Sequence, residues 1–143
     1  LESMIALAAF IPIIIGMGGN IGTQSSTIIV RGMATGRIEI GNEFRVLLKE
    51  IRVGLILGVL YGIMLGIFAN FKFLGSNPML GVVVGLSICS SMLLATAVGT
   101  FTPLILRKLD IDPAIATGPF VTTSIDILGI LLYFIIAGLL LTL

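Results

Sequence analysis

The sequence predicts an all-α membrane protein built as a bundle of four transmembrane helices, and three observations predict it. Of 143 residues, 57% are hydrophobic and only 10% are charged, at a mean hydropathy of +1.23. An ordinary soluble domain is about 25% charged, so this chain has too little polar surface to cover itself in water. The apolar residues fall into four continuous runs, each near or above the roughly 20 residues that a helix needs to cross a bilayer. The runs lack the alternation of strands, which argues against a barrel.

In chain order, the first span is expected over 4–30, with Pro12 set to kink it. Residues 39–50, EIGNEFRVLLKE, read as an amphipathic interfacial stretch. The second span is expected over 53–71. It carries Gly54, Gly58, Gly62 and Gly66 at a spacing of four, which strips one face of side chains for close helix approach. The third, over 79–106, repeats the device with Ser87, Ser91, Ala95 and Gly99. The fourth is expected over 114–143. Arg31, Arg37, Arg45, Lys49 and Arg52 lie between spans one and two, and Arg107 and Lys108 between spans three and four. Lys72 alone lies between spans two and three. By the excess of basic residues, loops 31–52 and 107–113 are expected to be cytoplasmic and both chain ends outside.

Composition also narrows the chemistry. Net charge is +1, which gives no electrostatic case for nucleic acid as a partner. Histidine is absent and Cys89 is the one cysteine, so zinc, copper and iron–sulfur sites are disfavoured and any metal handled here would meet oxygen. The chain starts at Leu1 with no basic n-region and no small-residue cleavage pattern. It reads as part of a longer protein rather than one led by a signal peptide.

Two polar stripes interrupt the grease. In MGGNIGTQSS and its flanks, Gly16, Asn20, Thr23, Thr27 and Arg31 recur at steps of four, three, four and four, which places them on one helical face. Such a face either bonds across a helix interface or lines a water-filled passage. In the last span, Asp126 is the acid deep within an apolar run, about 18 Å along a helix begun near Ala114. A carboxylate there costs at least about 2.5 kcal/mol by insertion scales. No Lys or Arg is placed at matching depth, which leaves water, a cation, a proton or a residue outside this chain as its partner. Thr122, Asp126, Gly129 and Tyr133 share its stripe, Thr123 and Ser124 add hydroxyls, and Gly118-Pro119 can break the helix start and free backbone carbonyls. The alternative is a protonated aspartate bonded to a neighbouring helix.

One carboxylate per chain is thin for a divalent ion, but two chains about a two-fold axis supply two. Magnesium dehydrates reluctantly and keeps several waters. A sparse set of carboxylates, hydroxyls and carbonyls therefore suits hydrated magnesium, held through its water shell.

The runs PIIIGMGGNIGTQSSTIIVRGMATGRI, VGLILG and LDIDPAIATGPFVTTSIDILGILLYF resemble the transmembrane domain of the MgtE family of magnesium channels and transporters, over nearly the whole chain. The resemblance implies a homodimer in the lipid bilayer with the ion path on the dimer axis, lined mainly by the GGN helix and the last helix. It implies that Asp126 binds hydrated magnesium, with Asn20 and its glycine neighbours, Gly19 among them, along the path. Gly118, Pro119, Thr122 and Thr123 would border the ion site. Magnesium is then the transported ion and also an ion bound in the pore. Five helices are expected in the full domain. These four match the last four, so the first helix and any cytosolic regulatory domains are absent from this chain. The expected location is the plasma membrane of a prokaryote.

The main alternative is a secondary transporter in which Asp126 carries a proton or sodium ion in exchange for the divalent cation. An enzyme is not expected. Intramembrane aspartyl proteases need two aspartates, metalloproteases need histidines, and head-group transferases need clustered acids. A purely structural subunit is the remaining reading.

Overall fold

The computed structural model describes residues 2–38, 41–73, 77, 79–116 and 118–141. Four long helices carry the chain: α1 (Glu2–Ala34), α2 (Glu43–Lys72), α3 (Leu80–Lys108) and α4 (Pro119–Leu141). A single 3₁₀ turn at Pro113–Ala116 precedes the last. All four are long and apolar enough to cross a membrane, and no strand occurs among the described residues. The protein is an integral membrane protein.

The helices begin and end somewhat differently from the sequence reading. α1 runs unbroken through Pro12 and on past Arg31. The stretch expected to lie in the interface, 39–50, is from Glu43 onward the first two turns of α2, while residues 39 and 40 lie outside the described residues. Thirty residues at 1.5 Å each span about 45 Å, longer than a hydrocarbon core of about 30 Å, so α2 carries its basic end out to headgroup level without a break. α4 begins at Pro119 rather than near Ala114. Gly118 takes a left-handed φ of +99°, open to glycine at no steric cost, and Pro119 follows as the first helical residue. Asp126 therefore stands only about 10 Å into its helix.

α3 is the central helix. On one side it meets the glycine ladder of α2: a methyl group added to Gly62 would sit 2.7 Å from the Gly85 carbonyl oxygen, and one on Gly66 would sit 2.7 Å from that of Gly81. On its other side, the Ser87, Ser91, Ala95 and Gly99 ladder faces α1 and α4. Gly99 packs directly on the backbone of Gly22, and the Ser91 hydroxyl lies beside Gly18 and Gly129. Small residues thus let α3 approach α1 and α2 at backbone distance and seat its Ser91 hydroxyl against Gly129 of α4, which is how helices associate where lipid offers no hydrophobic drive between them. The apolar core behind these seams includes Phe10, Ile14, Val84, Ile88, Met92 and Tyr133. Tyr133 donates its hydroxyl to the Leu7 carbonyl at 2.8 Å and so ties α4 to α1.

The two basic segments meet at one end of the bundle. Lys108 pairs with Glu43 at 3.6 Å, and Arg107 donates to the Ile38 carbonyl at 3.1 Å.

Candidate functional site

Asp126 is half-buried on α4 and leans on α1. A methyl added to Gly19 would lie 3.6 Å from its Oδ1 and 3.9 Å from Thr122 Cγ2. The carboxylate therefore lies within van der Waals reach of α1 at Gly19, with room there for no more than a methyl group. Among the described residues no cation or hydrogen-bond donor reaches that carboxylate, nor do three or more acidic or thiol groups gather into a cluster able to cage a bare ion.

Around this point α1 keeps one face open. Gly16, Asn20 and Thr27 are exposed and Thr23 is half-buried, with nothing within 4 Å of where a side chain on Gly16 would begin. Gly16, Asn20, Thr23 and Thr27 recur at steps of four, three and four, and Gly19, buried against Asp126 and Thr122, borders this open strip. Gly18 and Gly22 turn the other way and are buried against α3 and Ile125 of α4.

The hydroxyls near the acid have their protons engaged locally. Thr122 donates to the carbonyls of Gly118 and Pro119 at 3.3 and 3.2 Å, and Thr27 donates to the Thr23 carbonyl at 2.8 Å. What such oxygens present outward is lone pairs. Thr123 is exposed. The Gly118 and Pro119 carbonyls, expected to be free, are instead taken up by the first turn of α4, since the Thr122 N–H also donates to Gly118. Gly129 does not join the open strip. The buried line of α4 is Val121, Ile125, Gly129, Tyr133 and Ala137, and Gly129 is the notch in it that receives Ser91.

One polar feature escaped the sequence reading. Glu50, the last residue of the stretch expected to lie in the interface, is only 6% exposed and accepts a hydrogen bond from Ser25 Oγ at 3.1 Å. It joins α2 to the polar stretch of α1. The signal that would have found it is the regular apolar spacing running back from Gly54 to Leu47, which makes this stretch helix rather than loop.

A family model for a divalent cation transporter, MgtE, matches residues 11–136. The chain belongs to the MgtE family. It is 40% identical over 99% of its length to the magnesium transporter MgtE of Thermus thermophilus, and 38% identical over 96% of its length to that of Bacillus subtilis. The corresponding protein of Enterococcus faecalis is 37% identical over 92% of the chain. The chain spans 31%, 30% and 29% of the length of these three relatives. The membrane-spanning helices described above are thus the portion this MgtE chain shares with them.

Proposed function

We propose that this chain is the membrane-spanning part of a magnesium transporter, in which hydrated Mg2+ moves along the open face of α1 and pauses at Asp126. The observation that carries the reading is the Asp126 carboxylate, seated in a membrane helix beside Gly19 with no protein counter-charge among the described residues. A charge in a membrane helix is costly, about 2.5–3.5 kcal/mol at the helix centre by insertion scales, unless water or a cation offsets it. Two copies about a two-fold axis bring two such carboxylates to one path and match the charge of a divalent ion. The sparse ligand set favours an ion that keeps its waters. Those waters donate hydrogens, and the outward lone pairs of Thr122 accept them. The names of the relatives support magnesium as the cargo. The end carrying Arg31, Arg37, Arg107 and Lys108 is the cytoplasmic one by the distribution of basic charge, with both chain ends outside, in a prokaryotic plasma membrane.

The test is uptake of Mg2+ into liposomes containing the purified protein. Asp126→Asn keeps the shape and removes the charge, and uptake should fall at least about tenfold, equivalent to about 1.4 kcal/mol. Uptake at the wild-type rate would remove Asp126 from the path. The same assay addresses exchange, to which a lone carboxylate able to carry one proton is suited. Collapsing proton and sodium gradients at a fixed magnesium gradient leaves conduction unchanged and stops an exchanger.

A further inference from the structure

A cavity of about 380 Å³ opens between the last turns of α1 and the first turns of α2, away from Asp126. Three cations, Arg31, Arg37 and Lys49, line it against one acid, Glu50. Glu50 is engaged by Ser25, whereas none of the three cations lies within 4.0 Å of a carboxylate among the described residues. The lining therefore carries an excess of two positive charges. The rest of the wall is mixed, with Ile28, Ile38 and Val46 beside Thr27 and Thr35. Ile28, Lys49 and Glu50 also line a second cavity of about 290 Å³, which continues the cleft between Ile21 and Val53 on its apolar side and Gln24, Ser25 and Thr96 on its polar side. A cationic mouth leading into a cleft with one apolar side, Ile21, Ile28 and Val53, matches an amphiphile with an anionic head. Basic pockets between transmembrane helices hold anionic headgroups in this way, and Arg offers phosphate a planar, two-pronged donor.

We infer that this cleft binds an anionic phospholipid, with its phosphate held by Arg31, Arg37 and Lys49 and the start of an acyl chain lying along Ile28 and Val53. The apolar side of the cleft, Ile21, Ile28, Ile38, Val46 and Val53, argues for a lipid over free phosphate, which has no use for it. The excess of cations argues against a second divalent-ion site at Glu50. The inference needs only that the helices span a membrane and does not depend on the role given to Asp126.

Native mass spectrometry of the purified protein, titrated with phosphatidylglycerol or with phosphatidylcholine of the same chains, tests it. Wild type should prefer phosphatidylglycerol by about tenfold or more, and added sodium chloride should erode that preference, since exposed charges are screened. Arg31→Gln/Arg37→Gln/Lys49→Gln should abolish it. Lys72→Gln, at the far end of α2, should leave it intact. Equal binding of the two lipids, a salt-independent preference, or a preference retained in the triple variant overturns the assignment. Displacement of phosphatidylglycerol by millimolar inorganic phosphate also overturns it, in favour of a free-phosphate site. The salt series requires no substitution, so a misfolded variant does not decide the outcome.

Discussion

At Gly19 an added methyl would make ordinary contact, 3.6 Å from the Asp126 carboxylate, whereas at Gly99 it would fall 3.0 Å from the Gly22 Cα and closer still to that residue's carbonyl. The two glycines therefore do different things. Gly99 is a structural contact between two backbones, neither of which can rotate out of the way. Gly99→Ala should lower stability by about 1–3 kcal/mol, read as a lower melting temperature in detergent. Gly19→Ala should melt like wild type, yet slow magnesium uptake several-fold by placing an apolar group against the carboxylate. A fall in melting temperature for Gly19→Ala as large as that for Gly99→Ala would assign both to packing. The same distinction explains why the isolation of Asp126 in an apolar run was legible from sequence and the packing of Gly129 was not. An isolated acid in an apolar run announces its own cost, but a glycine one stripe away belongs to the ion path or to a helix seam according to what lies opposite. Here Ser91 lies opposite.

At the scale of the helices, the contact between α2 and α3 rests on backbone approach at Gly58, Gly62 and Gly66, where added methyls would meet the carbonyls of Cys89, Gly85 and Gly81. Gly62→Ala/Gly66→Ala should separate these helices and destabilise the bundle more than either change alone. Thermal unfolding monitored by circular dichroism checks this. The tie between α1 and α2 is different in kind, a buried carboxylate receiving one hydroxyl. Glu50→Gln retains an acceptor and should cost little. Glu50→Ala leaves the cleft unfilled and Ser25 without its acceptor, at about 1–3 kcal/mol. If the bond is what Glu50 contributes, adding Ser25→Ala to Glu50→Ala should cause little further loss, and a fully additive double variant would contradict that. The four apolar runs were readable because membrane burial demands length and continuity. The start of α2 was not, because a helix that emerges from the bilayer changes its solvent, and therefore its composition, without changing its backbone.

For the whole molecule, the open face of α1 is the feature that a second copy would complete. With Cys89 replaced by Ala, Asn20→Cys should form an oxidative cross-link between two chains in membranes, visible as a doubled mass on a non-reducing gel. A cysteine replacing lipid-facing Ile56, which is 67% exposed on α2, should not. Cross-linking at Ile56 but not at Asn20 would place the dimer axis elsewhere and deprive the Asp126 carboxylate of its twin.

By itself the sequence determined the solvent of this protein, four long apolar helices, the end at which its positive charge collects, and the isolation of Asp126 within an apolar run. Each follows from composition and period along the chain, because the bilayer acts on every residue alike. Only the tertiary structure decided which stripe of each helix is a seam and which is left open. Gly22 on Gly99, Gly129 on Ser91 and Glu50 with Ser25 are matches between distant segments, and helix packing in lipid is selected by such pairwise backbone fits rather than by hydrophobicity, which is the same on every side.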